Sequence, residues 1–182
     1  NSIKDFNINQ LCTHHLANVV PEGMLKQELL SETTISMASG LAQYLISQKI
    51  NVSLISNGVE TDGEKTDFLE VEEGGGLSHL NEINTVLAGI DLSKNANRFT
   101  DILEELIDRT HNKHEYGMSE MADTLYIMIS QNRRKDLQKS FDMLTGNNRQ
   151  CVWIAPYYDE PGERLEDTCA SVIDWEVHYS DD

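Results

Sequence analysis

The chain has few cysteines, few basic residues, no long apolar run and none of the familiar short catalytic signatures. Its three cysteines, Cys12, Cys151 and Cys169, are odd in number, far apart and form no C-x-x-C pair. That excludes a disulfide framework and points to structural thiols in a reducing compartment. Basic residues number 14 against 31 acidic ones, for a formal net charge of −17. A surface so charged repels a phosphate backbone or an anionic lipid face, which argues against nucleic acid as a partner and against membrane contact by this segment itself. Acidity of this kind serves solubility, and it also suits a basic protein partner. No apolar run approaches the ~20 residues needed to span a bilayer, and the first nine residues lack a signal-peptide pattern. The chain opens on Asn1 rather than methionine, so the expectation is a piece excised from a longer protein.

What is present is an alternation of helical and strand patterns over 182 residues, a length that suits one α/β domain, 1–182, with a core of its own. Residues 8–20 open with an apolar-polar alternation that reads as a first strand, interrupted by His14-His15. After a break at Pro21-Glu22-Gly23, Leu25, Leu29, Ile35, Ala38, Leu41, Ala42 and Leu45 recur at helical spacing. The small residues Ala38, Ser39, Gly40 and Ala42 let that helix approach a sheet closely. Val52 to Ile55, closed by Ser56-Asn57-Gly58, reads as a strand buried on both faces. Asp67 to Glu73 reads as an exposed edge strand whose charges discourage pairing with another chain, with a homo-oligomer joined through it as a separate, third expectation. Gly74-Gly75-Gly76 follows, with Ser78 as the cap of a helix through Leu80, Ile83, Leu87 and Ile90. Phe99 to Ile107 forms another helix, and His111 to Glu120 a solvated connection. Thr124 to Ser130 is a strand, Arg133 to Leu144 a helix ending at Gly146, Gln150 to Ala155 a buried strand, and Ser171 to Tyr179 a last edge strand. The economical assembly is a three-layer, open, mostly parallel sheet with helices on both faces, Rossmann-like in its layering.

No motif for chemistry survives inspection. The triple glycine matches neither G-x-G-x-x-G nor G-x-x-x-x-G-K-S/T, and Glu70, Glu72 and Glu73 would repel a phosphate there, so it reads as a strand-to-helix turn needing positive φ. His111 and His114 stand three apart beside Glu115, a spacing compatible with a transition metal, but two ligands in a polar connection read better as solvated histidines at a helix C-terminus. Adjacent residues His14 and His15 point to opposite faces of a strand and cannot chelate together. Asp159, Glu160, Glu163, Glu166 and Asp167 lack the D-x-(D/N)-x-(D/N)-G spacing and read as a solvated loop. Ser56 and Ser130 each close a strand at the edge where open α/β sheets bind ligands, yet neither L-I-S-N-G nor M-I-S-Q-N supplies a G-x-S-x-G elbow. The candidate ligand cleft is therefore Ser56, Asn57, Ser130 and Asn132, beside Pro156, with no catalytic residue, no metal ligand and no cofactor assigned.

Four segments in order, Ile35-Ser36-Met37-Ala38-Ser39-Gly40-Leu41-Ala42, then Val52 to Gly58, then Gly74 to Leu80, then Leu87-Ala88-Gly89-Ile90, carry a resemblance. Their order and spacing, from about Leu29 to Ile154, resemble the C-terminal part of the domain-of-unknown-function family 58. That resemblance implies a von Willebrand factor A-like domain and a parent anchored in a bacterial membrane by its N-terminal part, with this segment on the cytoplasmic side. It also implies a protein partner, a MoxR-type AAA+ ATPase, in complex assembly. Some A domains hold a metal through Asp-x-Ser-x-Ser after the first strand, whereas Cys12-Thr13-His14-His15-Leu16 stands at that place here, so no metal residue carries over. Two functions follow as expectations: a non-catalytic protein-interaction module, and alternatively a hydrolase or nucleotide-binding domain using the C-terminal strand edge.

Overall fold

The computed structural model describes residues 22–61, 68–115, 124–145, 150–162, 165, 168 and 170–178. The strand expected at 8–20, with Cys12, His14 and His15, lies outside them, as do Cys169, Gly146 and Tyr179. The first described element is α1 (Glu22–Ser47), which runs through Glu22 and Gly23 where the sequence suggests a break. A proline just ahead of these residues suits a helix start better than a stop, because its missing N–H is one that a first turn leaves unpaired. Ser31, Thr33 and Thr34 return their hydroxyls to the carbonyls of Gln27, Leu29 and Leu30, so even the buried Thr33 is satisfied within its own helix.

The end of α1 is a Schellman motif. Ile50 N–H donates to Leu45 O at 3.1 Å and Lys49 N–H to Ile46 O at 2.9 Å, with Lys49 left-handed at φ 64°. Glycine is the usual residue there because a Cβ is strained in that region. Lys49→Gly is expected to raise stability by about 0.5–1 kcal/mol, the relief of that strain less glycine's extra unfolded-chain entropy; urea unfolding would show it as a higher midpoint with an unchanged slope.

Next come β1 (Val52–Ser56) and β2 (Leu69–Gly74), which pair antiparallel. This corrects the expectation that β1 is a parallel strand buried on both faces: Ser53 is exposed. The register pairs Val52 with Gly74 but Leu54 with Val71, so β2 carries one extra residue opposite Ser53. That bulge breaks the strict alternation read from sequence. Leu69 and Val71 point inward, while Glu70, Glu72 and Glu73 are all exposed.

The triple glycine has a separate cause at each position. A Cβ on Gly74 would lie 2.7 Å from the His79 ring, and one on Gly75 would lie 2.9 Å from the Asn51 amide oxygen; only Gly76 has positive φ, at 82°. His79 fills the room Gly74 leaves, and its Nε2 lies 2.7 Å from Val52 O. Helix α2 (Gly76–Ala88) therefore begins earlier than expected, with Gly75 and not Ser78 as its N-cap and no side-chain cap. The small residues of α1 face this helix: Ala38 and Ala42 pack with Ile83 and Leu87 of α2 and Val71 of β2, and Ser39 Oγ donates to Asn84 Oδ1 at 2.7 Å. Close approach to a neighbouring helix, rather than to a sheet alone, is what they permit.

The second half of the chain builds a larger core. Helix α3 (Phe99–Glu115) extends into the stretch expected to be a loop, so His111 and His114 lie on its last turns. Strand β3 (Leu125–Ile129), helix α4 (Lys135–Thr145), strand β4 (Gln150–Tyr157) and strand β5 (Ser171–Glu176) complete it. The sheet is parallel in the order β3-β4-β5. The chain is thus mixed α/β, with four helices, a three-stranded parallel sheet and an antiparallel pair among the described residues. On β4, Cys151, Trp153 and Ala155 share one face, packed with Leu103 of α3 and Leu137, Phe141 and Leu144 of α4. Ile154 alternates to the other face and is buried too, and α1 meets both β3 and β4.

A proline in the middle strand runs against the usual exclusion. Ile154 O accepts the Ser130 N–H and Tyr157 O the Val177 N–H, so even-numbered backbone groups of β4 face β3 and odd-numbered ones face β5. The missing N–H of Pro156 therefore faces the β3 side, beyond Ile129, where that strand has already ended. Arg109 of α3 ties the two cores together. Its guanidinium donates to Glu70 at 2.7 Å and to Glu105 at 2.8 Å and lies 5.4 Å over the Phe68 ring.

Candidate functional site

The C-terminal ends of β1 and β3 carry the four residues expected to line a cleft. At β3, Ser130 N–H donates to Ile154 O at 3.0 Å, its Oγ accepts the Asn132 N–H at 3.2 Å, and its carbonyl accepts the Trp153 indole N–H at 3.0 Å. Asn132 Oδ1 accepts the Arg134 N–H at 3.1 Å, turning the chain into α4. These are the short side-chain-to-backbone closures that Ser and Asn favour at turns.

The end of β1 repeats the device. Ser56 Oγ accepts the Gly58 N–H at 3.1 Å. Asn57 Nδ2 donates to Asn97 O at 2.8 Å, and Asn97 N–H returns a bond to Asn57 O at 2.9 Å. Gly58 is glycine because of Ile90: a Cβ there would lie 2.9 Å from two of the isoleucine's carbons. The segment after β1 is then laced to the one after α2. Thr61 N–H donates to Gly89 O, Asp91 N–H to Val59 O, and Lys94 Nζ reaches both Glu60 O and Thr61 O at 2.7 Å. Among the described residues no hydrogen bond or ion pair joins the Ser56–Asn57 end to the Ser130–Asn132 end.

Asp91 anchors this lacing electrostatically. Hydrogen bonds from the Ser93 hydroxyl at 2.6 Å and the Ser93 N–H at 2.9 Å hold its carboxyl below the usual 3.8. The charged form is favoured in the fold, so its contribution is present above pH 3.8 and is lost as pH falls through the lower folded value. Ser93→Ala is expected to return the Asp91 midpoint toward its ordinary value, which an NMR titration of the Asp91 side chain would read directly.

The residues that sequence reading missed sit across the parallel sheet. Arg133 follows the Ser130 turn, and its guanidinium reaches Asp174 on β5; the arginine side chain is 9% exposed and the aspartate 51%. Gly162 lies over it, where an added Cβ would be 3.5 Å from Arg133 Cδ. Beside this pair the Tyr157 phenol is raised above its ordinary value, first by burial and then by the Glu176 and Asp174 carboxylates, with Arg133 opposing. Nothing in R-R-K ahead of an amphipathic helix distinguishes the buried arginine from its exposed neighbours Arg134 and Lys135; only the crossing to β5 does so.

Among the described residues no group of three or more His, Cys, Asp or Glu is placed to hold a metal ion. Side chains at His111 and His114, and the carboxylates Glu163, Glu166 and Asp167, lie outside the described residues, while Asp159 and Glu160 are exposed. Cys151 is a buried thiol in the larger core. No described helix is long and apolar enough to cross a membrane. Comparison with protein-family models finds none that matches the chain, and comparisons with curated proteins and with solved structures find no match either.

Proposed function

We propose that the chain is a non-catalytic protein-interaction module: a von Willebrand factor A-like, three-layer α/β domain of the domain-of-unknown-function family 58. It works with a MoxR-type AAA+ ATPase in complex assembly, on the cytoplasmic side of a bacterial membrane that holds its parent. The observation that carries this reading is the use made of the strand-end polar groups. The hydroxyls of Ser56 and Ser130 each accept the N–H two residues on, and the amides of Asn57 and Asn132 bond to nearby backbone. A nucleophile needs a base within hydrogen-bond reach, and neither serine has one among its described partners. What the surface offers instead is an excess of acidic charge, including the exposed Glu72 and Glu73 on β2, which suits a basic protein face.

The test is calorimetric titration of the purified chain against that ATPase in its ATP-bound and ADP-bound states. Saturable binding in at least one state, weakened by added salt, is the expected outcome. No heat of binding in either state would overturn the proposal.

A further inference from the structure

Asn57–Gly58 is the chain's single Asn-Gly sequence, the dipeptide in which backbone attack on the side-chain amide is least hindered, because glycine has no Cβ. In that reaction the Gly58 nitrogen gives up its proton to hydroxide and attacks Asn57 Cγ. The N–Cγ bond forms, the Cγ–Nδ2 bond breaks, and the departing nitrogen takes a proton from water to leave as ammonia. Water then opens the cyclic imide at either carbonyl, leaving aspartate or isoaspartate.

Both nitrogens of this reaction, and the backbone carbonyl between them, are held. The attacking Gly58 N–H is bonded to Ser56 Oγ at 3.1 Å. The leaving Nδ2 is bonded to Asn97 O at 2.8 Å, and the Asn57 carbonyl is bonded to the Asn97 N–H at 2.9 Å. Gly58 itself is buried against Ile90, with less than a Cβ's room. The bonds to the two nitrogens must be given up before the amide can lose its proton and the imide ring can close, which raises the barrier to reaction.

We propose that the fold stores Asn57–Gly58 as a protected deamidation site: the chain reacts there only when the segment after β1 opens, and the product carboxylate then opposes re-closure. After reaction the Nδ2 donor is gone and a negative oxygen faces the Asn97 carbonyl, so the segment laced to residues 89–97 no longer closes as before. Deamidation at this position records opening and makes it one-way.

The experiment compares the natural chain in buffer and in guanidinium chloride at the same mildly alkaline pH. The tryptic peptide 50–65 is followed by mass spectrometry, with fragmentation to separate Asn57 from Asn51. The denatured chain is expected to convert at Asn57 at least about tenfold faster than the native one, and Ser56→Ala to convert faster than the natural chain under native conditions. Equal rates in the two solvents, or a native rate unmoved by Ser56→Ala, would overturn the protection. Asn57→Asp is expected to unfold at a lower denaturant concentration; a midpoint equal to that of the natural chain would overturn the one-way closure.

Discussion

Replacing Trp153 with alanine is expected to remove about 3–5 kcal/mol of stability, a fall in Tm of about 10 °C for a chain of this size. Trp153 is fully buried at the centre of β4, edge-on to Phe141 of α4 with ring centroids 5.8 Å apart and planes at 81°. A cavity opens where the middle strand, α3 and α4 converge, and surrounding residues such as Leu137 and Leu144 are anchored on a helix and cannot collapse into it fully. The loss also reaches the Ser130 turn, whose carbonyl loses the indole N–H. Trp153→Phe separates the two effects. It keeps most of the packing and leaves the carbonyl short of a donor, for a loss of about 1–3 kcal/mol. Calorimetric unfolding of both variants would check the order; an alanine variant within 1 kcal/mol of the natural chain would mean that the core does not rest on this ring.

Asp174→Ala is expected to cost about 2 kcal/mol, between the values for an exposed and a buried ion pair, because only the arginine side of the pair is buried. Arg133 would be left charged beneath the Gly162 segment with no counter-ion, whereas Asp174 is half exposed and is solvated when the arginine is removed. The asymmetry is the specific prediction: Arg133→Met should cost less, about 1 kcal/mol, and the double variant should recover most of what Asp174→Ala loses. Urea unfolding of the three variants completes the cycle. Equal costs for the two single variants would show that the guanidinium is hydrated and that β5 is not held in this way.

The parts of this fold legible in the sequence were those in which one residue's neighbours set its pattern. Leu137, Phe141 and Leu144 return at helical spacing and are all buried, and Leu125 to Ile129 is too short and too β-prone for anything but a strand. Helix α3 was legible in its apolar half, and its polar continuation through His111 was not, because a helix end carries no periodic signal once its core face is complete. The antiparallel pairing of β1 with β2 was hidden for another reason. A buried-looking V-S-L-I fits either sheet, and the β2 bulge at Glu72–Glu73 breaks the alternation that would have marked its partner.

At the candidate site the sequence located the two turns and carried no sign of what Gly58 is for. Ser56, Asn57, Ser130 and Asn132 do lie at strand ends, but what Gly58 accommodates is Ile90, thirty-two residues away in sequence and adjacent only after folding. Arg133 illustrates the same limit. Its burial depends on Asp174 and on the chain passing over it at Gly162, neither of which leaves a trace near R-R-K.

Thermal unfolding of the chain with and without Mg²⁺, Mn²⁺, Ca²⁺ and a panel of nucleotides is the most direct test that the strand ends are closed on themselves. A ligand at a hundred times its dissociation constant stabilises a fold by about 2.7 kcal/mol, which a melting curve resolves easily. The predicted result is an unchanged Tm across the panel; a reproducible rise with any one cation or nucleotide, lost in Asn132→Ala, would contradict it and make the C-terminal edge of the sheet a ligand site.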